Sequence, residues 1–377
     1  MKIGFSATGT PASAHRLGGL LACLASFFLP CSSSAQISSV QIYGRLNMSL
    51  EALSDSRNLQ GRDADVTRLS NNRSVIGFRG AEDLGDELHA IFQIEGTISP
   101  DTGAGSIAAR DTRLGLEGKL GTLFGGNWVT PYNGATSSLD PFYPTTAGYM
   151  SIMGNGSAST TDNVIDTSSF DRRQQNSLHY WTPGWNGWSA RLALGLNEER
   201  PANGAKPSLS SAALIYDRGP YYFTVAHERH HEYQGPGTHD DGTKIALAYR
   251  FGQTKLAAIA EWLSYETMPG RLERKSYYLS ASRQEGPHGL HLGIAKAADT
   301  TGSSSKKVGF MQSGPDSGAV HYTVGYDYGF SKRTTLFSYF THLRNDKNGN
   351  YDLAINSVGA GQGATVKGLA LGMRHSF

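Results

Sequence analysis

The sequence predicts an all-β chain, a 16-stranded antiparallel transmembrane β-barrel. Three observations carry that prediction: segments in which apolar and polar residues alternate, tight turns that join these segments in pairs, and long polar stretches that separate the pairs.

The first segment reads as an export address. Lys2 and Arg16 precede an apolar stretch from Leu17 to Leu29, and Ser33 and Ala35 supply the small-x-small pattern of a cleavage site. Residues 1–35 are therefore expected to be a secretory signal peptide, cut after Ala35. A membrane helix does not fit, because a span needs about 20 apolar residues. Cys23 lies inside the apolar stretch and Cys31 follows Pro30, a poor context for lipid attachment, so both cysteines leave with the signal. The chain from Gln36 to Phe377 then has no cysteine, and its fold is held without disulfides. Removing Lys2 and Arg16 takes Lys+Arg from 34 to 32, equal to the 32 Asp+Glu, and so neutral a chain disfavours a nucleic-acid partner. No later segment approaches 18 uninterrupted apolar residues, which excludes a helical membrane protein. A transmembrane barrel keeps an average composition because every second strand residue faces water.

The first strand shows the pattern most clearly. From Ser39 to Ala52, residues Val40, Ile42, Leu46, Met48 and Leu50 share one face, while Gln41, Tyr43, Arg45, Asn47 and Glu51 share the other. A hairpin follows around Asp83 to Asp86, where Ile76 and Phe78 precede the turn and Leu88, Ala90, Phe92 and Ile94 alternate with His89, Gln93 and Glu95 after it. Further tight turns are expected at Gly118 to Gly121, Pro183 to Gly187, Asp217 to Pro220, Gly252-Gln253, Gly286 to Gly289 and Gly329 to Lys332. Long polar stretches run from Asn197 to Ser208, Glu228 to Gly242, Asp299 to Ser317 and Asn345 to Ala364. Short turns at one end and long loops at the other are the layout of an outer-membrane barrel, and the strand count comes to sixteen. Lipid offers a backbone no hydrogen-bond partner, so only a closed sheet satisfies every strand. About sixteen strands leave a water-filled interior. Tyr43, Trp181, Trp188, Tyr221, Tyr249, Tyr278, Tyr328 and Phe377 are candidates for the interfacial aromatic girdles.

Several stretches together resemble the Gram-negative trimeric porins of the β-proteobacterial type. SSVQIYGRLNMSLEAL resembles their first strand, and SVIGFRGAEDLGDELHAIFQIEG, Ser74 to Gly96, their second hairpin. RLGLEGKLGTLFGGNW, LDPF and NSLHYWTP resemble the hairpin before the constriction loop, the loop itself and its return strand. GYDYGFSKRTTLFSYF and the terminal LALGMRHSF complete a match that runs in order over residues 36–377. The resemblance implies an outer-membrane homotrimer among lipids, with a third extracellular loop folded into the pore. It implies passive diffusion of ions and small hydrophilic solutes, with no cofactor and no catalysis.

The constriction loop is expected over residues 129–172, far longer than an ordinary connection. In the family such a loop sets its carboxylates against a ladder of wall arginines, an arrangement that sorts permeants by charge. Carried over by position, Arg45 and Arg173 are the wall residues and Asp140 the loop acid, with Arg113, Arg172, Asp162 and Asp166 as further candidates. Two ladder positions depart from the pattern, since Val75 and Asn127 stand where arginines are usual. Arg73 shares a face with Val75, but two residues along a strand is over 6 Å. The expectation is a less positive constriction, with weaker anion preference than relatives that keep the full ladder. A substrate-selective channel is the alternative, with Phe142, Tyr143 and Tyr149 forming a solute track along the loop. A barrel adhesin or enzyme is a more distant one.

His227, Glu228 and His231 spell H-E-x-x-H, which on a helix would bring two zinc ligands and a general base together. Here a strand reading precedes the motif and Tyr233-Gln-Gly-Pro-Gly follows it, so the cluster, His230 included, is expected in a solvated loop. No Ser/His/acid set and no phosphate-binding glycine loop stands at a recognisable spacing.

Overall fold

Alternation along Gln41–Asp55 (β1) sends Leu46 and Leu50 outward and buries Asn47, Ser49 and Glu51 on the inner face. The same inside–outside rule repeats around the whole wall. The computed structural model describes residues 40–377; the expected signal peptide, its cleavage point after Ala35 and both cysteines lie outside the described residues.

Among the described residues the wall has sixteen strands, each antiparallel to its neighbours. β2 is Ala64–Asn71 continued, after a break, by Val75–Gly85; β3 is Leu88–Ser99. β4 is also interrupted, as Ala104–Ser106 and Thr112–Gly118, and β5 is Gly121–Val129. After a long loop come β6 (Arg172–Trp181), β7 (Trp188–Gly195), β8 (Ser208–Arg218) and β9 (Tyr221–His231). Then follow β10 (His239–Phe251), β11 (Thr254–Glu266), β12 (Arg271–Glu285) and β13 (His288–Ala297). β14 (Ala319–Gly329), β15 (Thr334–Asn345) and β16 (Thr365–Ser376) complete the wall. β16 pairs with β1 from Arg45↔Ser376 to Asp55↔Val366, so the sheet closes and has no free edge.

The expected turns are in place. Gly252 and Gly286 open two-residue connections with φ of 54° and 57°, the left-handed backbone that such tight hairpins require. At the other end of the strands the connections are longer and polar. Two strands extend further there than alternation predicts. In Ala64–Asn71 the outward residues include Asp65 and Thr67, and in β9 they include His227, Arg229 and His231, so both faces are polar and the period-two signal fades.

That extension corrects the expectation for the H-E-x-x-H run, which lies on β9 and not in a loop. Glu228 points inward and pairs with His230 at 2.9 Å, both fully buried. His227 and His231 face outward, apart from Glu228. Among the described residues no group of three or more His, Cys, Asp or Glu is placed to hold a metal ion.

The aromatic assignment is corrected in part. Trp188, Tyr221 and Tyr249 are exposed on the outer face, as a girdle requires. Tyr43 donates to Glu95 and Tyr278 donates to Asp140, so both point into the lumen. Trp181 faces inward as well, against Phe124.

The seam between β1 and β16 depends on a residue without a side chain. A Cβ at Gly372 would stand 2.6 Å from the Met48 carbonyl oxygen, forcing the first and last strands apart. Gly372→Ala is expected to destabilise the barrel by about 1–3 kcal/mol, the usual range for overpacking. The temperature at which the folded band converts to the unfolded band on gel electrophoresis would fall; an unchanged midpoint would refute this reading of the seam.

Candidate functional site: a loop held across the lumen

Residues 130–171 join β5 to β6, and their hydrogen bonds run to inward-facing groups on the opposite wall. The loop opens with a helical turn, Pro131–Gly134, capped by Thr130 and started by proline at its first position. The turn delivers Tyr132 to the far side, where its hydroxyl donates to Glu261 Oε1 at 2.8 Å. The Gly154 amide donates to Glu261 Oε2 at 2.9 Å. Lys244 and Arg274 flank the same carboxylate at 3.9 and 3.8 Å and hold the loop as well. Lys244 donates to Thr136 Oγ1 at 3.0 Å and Arg274 to the Ile152 carbonyl at 2.8 Å.

The middle of the loop is fixed by neutral and acidic partners. Tyr278 donates to Asp140 Oδ1 at 2.7 Å, Ser280 to the Leu139 carbonyl at 2.7 Å and Thr323 to the Ala147 carbonyl at 3.1 Å. Thr146 donates to Glu51 Oε1 on β1 at 2.6 Å. Phe142 sits where Gly325 leaves room; a Cβ there would come within 2.6 Å of its ring. The loop therefore crosses the interior and is tied to β1, β10, β11, β12 and β14.

These contacts relocate several candidates. Asp140 is 4 % exposed, and its second oxygen accepts the Tyr149 amide at 2.8 Å, so its carboxylate organises the loop and does not face the permeant. Arg172 is fully buried and donates to Thr161 Oγ1 at 2.6 Å and the Asp162 carbonyl at 2.7 Å, a clamp on the loop's return. Asp162 and Asp166 accept from nearby loop groups, the Val164 amide and Ser168. Phe142 and Tyr149 are packed away at 5 % and 2 % exposure, so the aromatic track expected from the sequence does not form along the loop.

Tyr143 faces the other wall, where the basic groups gather. Arg173 donates to Asp111 Oδ1 at 2.7 Å, and Arg110 to Glu95 Oε1 at 3.0 Å. Arg73 donates to the Tyr143 hydroxyl at 3.3 Å and to Ser157, while Arg45 donates to the Arg73 carbonyl at 3.1 Å. Arg73 occupies the break in β2, with φ of 56°, so the spacing of a regular strand does not govern its reach. Asn47 stitches that break, its amide donating to Ser74 Oγ at 2.9 Å and its side chain to the Asn72 carbonyl at 3.2 Å. Arg110 occupies the interruption of β4, where Asn127 donates to its carbonyl at 3.1 Å. Sequence reading missed Arg110 because strand parity says nothing about a residue in a break. The polar run Arg110-Asp111-Thr112-Arg113 held a hint, since it interrupts the apolar–polar alternation.

The fold and this loop define a class: a membrane-spanning β-barrel with an aqueous lumen narrowed from within. Residues 20–348 match the family described as Gram-negative porin, and the chain belongs to that family. Outer membrane porin protein 32 of Delftia acidovorans is 28 % identical over 358 residues, covering 90 % of this chain and 94 % of that protein. The major outer membrane protein P.IB of Neisseria gonorrhoeae is 22 % identical over 338 residues, covering 81 % and 88 %. Among solved structures, the anion-selective porin from Comamonas acidovorans superposes with a TM-score of 0.74 at 23 % identity, covering 90 % of this chain and all of that one. The trimer form of OmpT from Vibrio cholerae gives 0.66 at 14 % identity, covering 91 % and 100 %. At such identities the structural likeness speaks for the fold. Family and fold together make the protein an outer-membrane channel for passive diffusion of small solutes.

Two consequences of the loop contacts can be measured. Glu261→Gln would leave Lys244 and Arg274 buried without their shared counter-charge, a loss of about 3–5 kcal/mol in loop docking. Amide hydrogen exchange in residues 132–154 should accelerate and the open-channel current become noisier; a quiet channel with unchanged exchange would contradict the anchoring role. The second concerns pH. Burial pushes Asp140 and Asp171 up to about 6 from an ordinary 3.8, and both Asp171 oxygens are buried without a hydrogen-bond partner. Between those values the docked loop holds protons that a released loop has shed, so these groups favour docking below pH 4 and lose that contribution as pH rises through 6. Loop exchange should be slower at pH 5 than at pH 7.5 after correction for intrinsic rates. Asp171→Asn should flatten the difference, and a steeper profile in that variant would contradict the assignment.

Proposed function

We propose that the mature chain, Gln36 to Phe377 after loss of residues 1–35, is a homotrimeric general diffusion channel with a modest preference for anions. Residues 129–172 form its constriction, and its apolar outer belt faces outer-membrane lipid. The observation that carries the charge preference is an imbalance beside Tyr143. Arg45, Arg73, Arg110 and Arg173 gather there with Glu95 and Asp111, and the buried Asp171 acts on Arg73 from a distance, four cationic groups against three acids. Arg110 and Arg173 are matched, while Arg45 and Arg73 donate to neutral groups. A surplus of fixed positive charge in a narrow aqueous passage admits anions more readily than cations. The absent arginines at Val75 and Asn127 keep the surplus small, and Arg73 offsets part of that loss. Asp140 and Arg172 contribute by holding the loop. Two structural neighbours support this reading, one described as an anion-selective porin and the other solved as a trimer. It involves no cofactor, no catalytic step and no nucleic acid.

The reversal potential under a KCl gradient tests it. Chloride should permeate a few-fold faster than potassium, and the double substitution Arg45→Ala with Arg73→Ala should bring the ratio to about one or below. Cation preference in the unaltered channel, or an unchanged ratio in the double variant, would overturn the proposal.

A further inference from the structure

On the same inner wall a second pair of arginines is held in a different way. The Arg113 guanidinium on β4 lies 5.0, 4.6 and 5.4 Å from the ring centres of Phe124, Trp128 and Trp181. Arg191 on β7, the cross-strand partner of Trp181, lies 4.8 Å from that same ring. The rings brace one another, with Phe124 edge-on to Trp128 at 5.3 Å and to Trp181 at 5.0 Å, while His179 stacks on Phe124 at 4.8 Å.

Aromatic faces attract a guanidinium but leave its in-plane N–H donors unused. Among the described residues neither Arg113 nor Arg191 forms an ion pair or donates a hydrogen bond to the chain. Arg113 Nε and Nη1 are buried with no partner at all. This separates the pair from Arg110, Arg172, Arg173 and Arg274, each of which is bound to oxygen atoms of the chain. Arg113 and Arg191 are thus pre-positioned charges with no bonded acceptor in the chain, although the Glu117 and Asp111 carboxylates act on Arg113 from a distance. A planar fork of donors fits a carboxylate in two parallel hydrogen bonds. Beside the two guanidiniums that it already holds, Trp181 is half-buried, so part of it stays uncovered.

We propose that Arg113, Trp181 and Arg191 form a solute subsite on the lumen wall, on the short-turn side of the inward loop, that retains aromatic carboxylates in transit. The Arg191 fork and the outer Nη2 of Arg113 take the carboxylate, and the indole takes the ring. A small hydrophilic anion meets the charge alone. The subsite names a solute class for the diffusion channel proposed above and rests on that reading.

The test is single-channel recording of the refolded mature protein in KCl, with benzoate and then acetate added to each side in turn at constant ionic strength. Benzoate should produce resolved blockades or excess current noise at concentrations about tenfold lower than acetate, the scale of one aromatic contact. Arg113→Gln with Arg191→Gln should abolish the benzoate effect. Trp181→Leu should erase the difference between the two anions and Trp181→Phe should keep most of it. Heat-modifiable mobility and KCl conductance show that each variant has folded. If benzoate and acetate act alike on the unaltered channel, or the double glutamine variant still distinguishes them, the subsite is wrong and the channel stands. If KCl conductance itself is missing, the diffusion-channel reading falls first.

Discussion

A single buried carboxylate carries much of the geometry of this pore. Glu261 is fully buried on β11, flanked by Lys244 and Arg274 and bonded to Tyr132 and Gly154 from the loop. Removing three charges from water is costly, and such a cluster survives only when each member is matched. Here the loop supplies part of the match, because its Tyr132 hydroxyl and Gly154 amide complete the carboxylate's shell. The loop's own position is therefore a condition for burying these wall charges. The alternative state, with the loop swung out, would expose apolar Phe170 and Met150 and leave unpaired polar groups on the wall. Specificity of place, more than raw stability, is what the cluster provides.

The second organising device is the interruption of strands. A regular strand alternates strictly, so it can send a side chain only straight inward or straight outward. The breaks in β2 and β4 release Arg73 and Arg110 from that rule and bring them to the loop's free side. Each break is sealed by asparagine, Asn47 in one case and Asn127 in the other, which replaces ladder hydrogen bonds that the break removes. The charge balance of the passage thus depends on local backbone irregularity as much as on which residues the strands carry.

Most of the wall was legible in the sequence because lipid on one side and water on the other impose period two on every strand, and glycine turns mark the short connections. Legibility ended where one of those solvents was missing. Ala64–Asn71 and the H-E-x-x-H end of β9 project beyond the apolar zone, with polar groups on both faces, so neither shows alternation. Tyr43, Trp181 and Tyr278 were legible as aromatic but not as inward, since an aromatic suits either a girdle or a lumen. The inward direction of Arg45 followed from parity. Asp140 did not, because the direction of a loop side chain is set by distant partners, here Tyr278 on the opposite wall. Folded proximity also produced a set that spacing hid: Ser282, His291 and Asp327 stand in hydrogen-bond contact at 3.1 and 3.0 Å on three adjacent strands. The backbone amides around them belong to the sheet ladders.

The proposed role of the loop, to set the size of the aqueous passage, is open to direct test by swelling of liposomes reconstituted with residues 36–377, in isotonic solutions of neutral saccharides of increasing size. Monosaccharides should enter rapidly, with a steep fall in rate toward tetrasaccharides. That size limit should be lost when Glu261 and its loop partner Tyr132 are both replaced by alanine. Proteoliposomes that stay impermeable to monosaccharides although the barrel has folded, or a size limit untouched by releasing the loop, would contradict it.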